Sequence, residues 1–262
     1  MKKVLKYLPV VAIVVIVGVA LIPISTIILD TLIAVNLAFA FLILLIAVSA
    51  KDIKEFKLLP TTILLSTIFN LAINLSAIRL IFTKGLNFDG RIIRFISLPL
   101  LNSTTGLIIG YTIFILLMSV FTIIITKGVT RVSEIAARFT LDSMAVKMMA
   151  IEVELGSGAI TEEEAILIKR KVQQESDFFG SIDGASKFVS GNARLTIFTT
   201  IVIIIGGVLV EYFLRAASLN NAISIYLGFS ASTCLLFMFP PFLLSTAMGV
   251  VITRVVRKSK DT

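Results

Sequence analysis

Histidine and tryptophan are absent from the 262 residues, there is one cysteine, and only 15% of the side chains are charged. Without histidine there is no Ser-His relay, no imidazole base near neutral pH and no His-ligated metal. The lone Cys234 excludes an internal disulfide and a cysteine metal cage. No Gly-x-Ser-x-Gly elbow is present either. No enzyme and no cofactor is expected. Soluble domains are about a quarter charged. Here the missing charge is replaced by 57% hydrophobic residues and a mean hydropathy of +1.04, so most of the chain belongs in a bilayer. The net charge of +8 raises the question of nucleic acid, but no basic patch with interleaved aromatics accompanies it, and none is expected as a partner.

A membrane span needs about 20 apolar residues. Six stretches qualify: Leu8–Leu29, Thr31–Ala50, Leu58–Ile78, Phe95–Thr126, Leu195–Leu214 and Ala216–Thr253. The reading is an all-α polytopic membrane protein. The first two spans form a tight hairpin broken only at Asp30, and Pro60 opens the third where its missing N–H costs little. The fourth stretch is too long for one span, so its core is placed at Gly106–Thr126 with an interfacial lead-in over Leu98–Thr105. The sixth is placed near Ile225–Ile252, with Pro240-Pro241 breaking its helical hydrogen bonds. Gly18-Val19-Ala20 resembles a cleavage site, but the apolar run is too long for a signal peptide. With the N-terminus inside, 19 of the 24 Lys and Arg fall on the inner side. Both termini are therefore expected in the cytoplasm.

Residues 127–194 are different material, with nine basic and ten acidic side chains. They read as a small helical (α or α+β) cytoplasmic insert between spans four and five. The domain plan is spans one to four in 1–126, the insert in 127–194, spans five and six in 195–254, and a basic tail in 255–262. Ile135, Phe139, Met144 and Met148 recur at helical spacing. Gly156-Ser157-Gly158 breaks the chain, and Thr161 with Glu164 makes a capping box for the next helix. A turn-rich link is expected over Asp177–Asp183, then a short helix over Asp183–Val189. So small a unit buries too little to stand alone and should pack on the membrane domain or on other copies.

Ile125-Thr126-Lys127-Gly128, then Arg131, then Ala137-Arg138-Phe139-Thr140-Leu141-Asp142-Ser143-Met144 resemble the signature of the FHIPEP family, the large export-gate component of flagellar and type III secretion systems. The run Glu175-Ser176-Asp177-Phe178-Phe179-Gly180-Ser181-Ile182-Asp183-Gly184-Ala185-Ser186-Lys187-Phe188-Val189 resembles its second motif. Further likenesses are Leu29-Asp30, Leu71-Ala72-Ile73-Asn74 with Arg79, and Gly249 through Arg254. The resemblance covers essentially the whole chain in order. It implies a homo-oligomeric ring in the bacterial inner membrane. There the ring would lie beside other export-gate membrane proteins, using the proton-motive force to help move unfolded substrates it meets indirectly.

Asp183 matches the family's essential carboxylate. A carboxylate near a membrane surface can exchange protons where burial or a neighbour raises its pKa; the plainer reading is an N-cap. Lys187, four residues on, can pair with it. Arg131, Arg138 and Asp142 share one helical face, with Arg138 and Asp142 able to pair; the plainer reading is a solvated face. Asp30 and Arg79 lie at outer span ends, where ionisable residues are functional candidates, against a cap for the second span and simple snorkelling. Glu211 and Arg215 read as an interfacial lock. Thr67, Asn70, Asn74 and Ala77 read as helix-packing glue.

The chain departs from the family pattern at mechanistic positions. Asn70 stands where the family usually has arginine, Asn192 where it has aspartate in Gly-Asp-Ala, and Ser232-Thr233-Cys234 replaces Gly-Asp-Gly in the last span. Threonine cannot titrate near neutral pH. The family also continues with two more spans and a docking domain. A reduced, structural, non-coupling copy or a fragment is therefore the competing reading. A small-molecule transporter ranks below both, there being no inverted repeat.

Overall fold

The computed structural model describes residues 22–49, 58–101, 104–216 and 218–258, together with 14, 18 and 19. About half of the expected first span Leu8–Leu29, all of it before residue 22, lies outside these. The described residues are helical, with no strands. Five of the helices are long and apolar enough to cross a membrane, as an all-α polytopic membrane protein requires.

Helix α1 (Thr26–Ser49) starts just after Pro23, and Ser25 Oγ accepts from the Ile28 N–H. The break before it thus lies at 22–25, not at Asp30, which sits inside α1. Helix α2 (Leu59–Lys84) has Pro60 in its first turn. It ends at Gly85, whose φ of 55° suits glycine. A short 3-10 turn, Gly85–Asn87, is closed by an ion pair between Lys84 and Asp89. The long apolar fourth stretch resolves into α3 (Arg91–Leu101) and α4 (Thr104–Ile123). The change from one helix to the other falls inside the expected lead-in Leu98–Thr105, and α4 begins two residues before the expected core.

From α4 the chain runs without a loop through a π-helical turn, Ile124–Val129, into α5 (Thr130–Gly156). Gly158 then turns it at a φ of 74°. The capping box forms as expected: Thr161 N–H donates to Glu164 at 2.9 Å, and Glu164 N–H donates to Thr161 Oγ1 at 3.3 Å. Helix α6 (Glu162–Arg215) then continues for 54 residues, a length of about 80 Å against a hydrocarbon core of about 30 Å. Its apolar stretch Leu195–Leu214 is long enough to cross a membrane, and the residues before it continue the same helix. The expected link over 177–183 is helix. Phe178, Phe179, Ile182 and Ala185 are buried there, and that packing outweighs the cost of about 1 kcal/mol for Gly180 in a helix.

Helix α7 (Leu219–Lys258) keeps helical backbone through Pro240 and Pro241. It is the central helix, packed against α1, α2, α3, α4 and α6. Two main cores lie along it. One joins Leu29, Ile73, Ile81, Phe88 and Phe229, with the Phe88 and Phe229 rings edge to face at 5.4 Å. The other joins Ile43, Ile63, Leu244 and Met248 with Phe178, Phe179 and Ile182 of the insert. The base of the insert therefore shares a core with the spans. Ile135 and Phe139 are exposed while Met144 and Met148 are half-buried, so these four do not form the single face their spacing suggested.

Candidate functional site

The insert is a hairpin of α5 and α6. Ser133 donates to Ser186 at 2.7 Å where the helices pass closest to the spans. Further out, Lys147 pairs with Glu175 at 3.2 Å and Lys169 with Glu152 at 3.2 Å. Beside the serine contact lies Asp183, in the middle of α6 and not at a helix start, so it caps nothing. Lys187 Nζ donates to Asp183 Oδ2 at 2.7 Å, one helical turn on. The lysine side chain is 58% exposed and the carboxylate 17%. Asp183 Oδ1 is buried without a hydrogen-bond partner among the described residues. The hydrogen bond to Asp183 and its charge, with a smaller push from Glu134 on α5, hold the Lys187 ammonium above the usual lysine range. One oxygen is thus occupied by an exposed cation, and the other is buried with spare acceptor capacity.

The other expected residues lie elsewhere. Arg131, Arg138 and Asp142 do share a face of α5, but all three are exposed, on the side away from Ser133 and Ala137, which are buried. The described residues give no ion pair between Arg138 and Asp142. Asp30 lies at the opposite end of the membrane domain. Its carboxylate accepts from the Arg91 N–H at 2.8 Å and the Ile92 N–H at 3.2 Å. It therefore caps α3 from another helix, in place of the second span, and satisfies two orphan donors. Arg79 is exposed on α2 near that same end.

That end also holds the Glu211–Arg215 pair. Glu211 is 1% exposed and accepts from Arg215 Nη1 at 2.8 Å and from the Tyr226 hydroxyl at 3.1 Å. Arg215 Nη2 donates to the carbonyls of Phe82 and Thr83 at 3.0 and 2.7 Å, capping the last turn of α2. The lock foreseen within α6 thus ties α2, α6 and α7 together.

Between the two ends, the polar stripe of α2 is buried. Asn70 Nδ2 donates to the Phe237 carbonyl at 3.0 Å. In a regular helix that carbonyl would accept from residue 241, which is proline and has no N–H. Asn70 Oδ1 in turn accepts from Asn36 Nδ2 at 2.7 Å. The amide thus repairs the break in α7 and links it to α1. Asn74 donates to Thr199 on α6 at 3.3 Å. Asn192 and Thr233 are each 1% exposed. Neither the amide of Asn192 nor the hydroxyl of Thr233 has a hydrogen-bond partner among the described residues. A carboxylate at either place would be a buried charge with no counter-ion shown; the neutral groups avoid most of that cost.

Asn36, Ser133 and Glu134 were not singled out from sequence, and Ser186 entered only as part of the second family motif. Ser133 and Ser186 carry the usual signal of small residues at a close helix crossing, but spacing alone does not pair them.

Residues 16–262 match the FHIPEP family. The chain belongs to that family. It is 46% identical over 235 residues to the "Flagellar biosynthesis protein FlhA" of Treponema pallidum, covering 89% of this chain and 33% of that protein. It is 44% identical over 241 residues to the protein of the same name from Borreliella burgdorferi, covering 91% and 35%. The Bacillus subtilis FlhA is 36% identical over 246 residues, covering 93% and 36%. The chain thus spans about a third of the length of these relatives. No solved structure matches it.

Proposed function

We propose that this FHIPEP chain works as a membrane component of a flagellar protein-export gate in the bacterial inner membrane. The α5–α6 hairpin and both termini would lie on the cytoplasmic side. Several copies would ring an export channel with other gate proteins, and unfolded substrates would be met only indirectly. The reading rests on the likeness to flagellar biosynthesis proteins over about 90% of the chain.

The coupling residue in this proposal is Asp183. A proton taken up there would release Lys187 and change the charge beside the Ser133–Ser186 contact. A single rigid helix carries that change into the crossing segment 195–214. Lys187, Arg131, Arg138 and Asp142 are then candidates for moving the insert, and Asp30 and Arg79 for the far end. The test is Asp183→Ala in a cell whose flagellar export depends on this chain. Export of flagellin to the medium should stop while the variant still reaches the membrane; normal export would remove Asp183 from the mechanism.

A second reading, a structural copy that does not couple, draws on Asn70, Asn192 and Thr233. Asn70 is committed to a structural bond, and the other two cannot titrate. Restoring Asn70→Arg and Thr233→Asp together should bring no gain in export flux if the chain is only structural. A rise in export flux speaks against that reading.

A further inference from the structure

Helix α5 has two apolar faces. One packs on α6 through Ser133, Ala137 and Ile151, all buried. The other, on the opposite side of the cylinder, carries Val132, Ile135, Phe139, Val146, Met149 and Val153. Their exposure runs from 42% at Val132 to 71% at Val153. With Asp142 included, the steps along this stripe alternate three and four without interruption. That is the rhythm of a coiled-coil seam. It runs for about 32 Å, much more than a scattered surface residue or two.

The edges differ. One is lined by small side chains, Ala136, Ser143 and Ala150, which let another helix backbone come close. The other carries Arg131 and Arg138, neither with a carboxylate partner among the described residues. Charged residues along the stripe argue against lipid as its cover. Asp142 decides the rest. It is exposed and unpaired among the described residues, at a seam position midway along the stripe. Two copies meeting seam to seam through parallel α5 helices would set Asp142 against Asp142, and like charges in a seam repel; the head-to-tail contacts of a ring join unlike faces and do not pair this seam with its twin. A basic side chain at that layer would be complementary.

We propose that this stripe docks an amphipathic helix of a different protein. That helix carries apolar residues in the same three-and-four rhythm, and a lysine or arginine at the layer facing Asp142. The surface lies away from Asp183 and does not depend on what α6 couples to.

The test uses the whole chain in lipid nanodiscs and two synthetic 28-residue helical peptides. Both carry leucine and isoleucine at seam positions; one has lysine at the central layer, the other glutamate. Binding is followed by fluorescence anisotropy. The lysine peptide should bind at least about tenfold more tightly than the glutamate peptide. Asp142→Lys should reverse that order, and Val146→Glu should abolish binding of both. No preference, a preference unchanged in Asp142→Lys, or full binding to Val146→Glu overturns the proposal. A separate arm places Val146→Cys in membranes under oxidant. The native Cys234 is buried, so a disulfide-linked pair of chains would assign the seam to a second copy and overturn it as well.

Discussion

Replacing Asn70 by alanine removes one side-chain amide and strands two groups. The Phe237 carbonyl loses the donor that stands in for the N–H that Pro241 lacks, and the Asn36 amide loses its acceptor. Asn70 is 0% exposed and Asn36 2%, so water does not reach either group freely. A buried group left unpaired costs about 1–3 kcal/mol. Hydrogen bonds between spans are worth somewhat less, because the unfolded chain in a membrane also finds partners. With two groups stranded, Asn70→Ala should cost about 2–4 kcal/mol. Cys234 makes the assay simple. It is the only thiol in the chain and is 1% exposed, so a maleimide dye reports unfolding as denaturant is added in detergent micelles. The sharper measurement is a double-mutant cycle with Pro241→Ala, which returns an N–H able to reach the Phe237 carbonyl. In that background Asn70→Ala should cost about 1–2 kcal/mol less. If the two substitutions add to within about 0.3 kcal/mol, Asn70 does not serve the proline break and the reasoning fails.

Glu211→Ala should lower stability by about 2–4 kcal/mol in the same assay, since it strips Arg215 of its counter-charge and Tyr226 of its acceptor; Glu211→Gln should retain a good part of it, and equal losses in both would make charge irrelevant there. Gly85→Ala should behave like loss of Arg215. The φ of 55° is unfavourable for alanine, and its Cβ would collide with the Arg215 guanidinium. A cost of at least about 2 kcal/mol is expected, and an unchanged unfolding midpoint would contradict it. The Lys84 hydrogen bond holds the Asp89 carboxyl below its ordinary range. A lowered folded pKa stabilises above the usual aspartate value of about 3.9 and is lost as pH falls through the folded value. Hydrogen exchange at Gly85–Phe88 should therefore quicken only below about pH 4. In Asp89→Asn it should be faster already at neutral pH, and a pH profile identical to wild type would dismiss the pair.

Much of this architecture is legible without coordinates. Hydropathy and helical period are local properties. They place the apolar stretches, the Pro60 start, the Gly158 turn and the Thr161–Glu164 box, whose partners are three residues apart. The long FHIPEP motifs likewise mark Asp183 and Lys187, and their spacing of four predicts the pair that forms. Reading stops where the partner is remote. Asp30 lies 61 residues before the N–H it caps, and Asn70 lies 167 residues before the carbonyl it rescues. No periodicity connects such positions; only the packing of α7 against α1, α2 and α3 brings them within hydrogen-bond reach. The same holds for Gly180, where local propensity favours a break and burial of Phe178, Phe179 and Ile182 keeps the helix intact. The amino-acid sequence by itself determined which segments are apolar helices, where α2 and α6 start, and the family. Tertiary structure alone decided which buried polar groups meet, because a partner supplied by another helix lowers the cost of burying them.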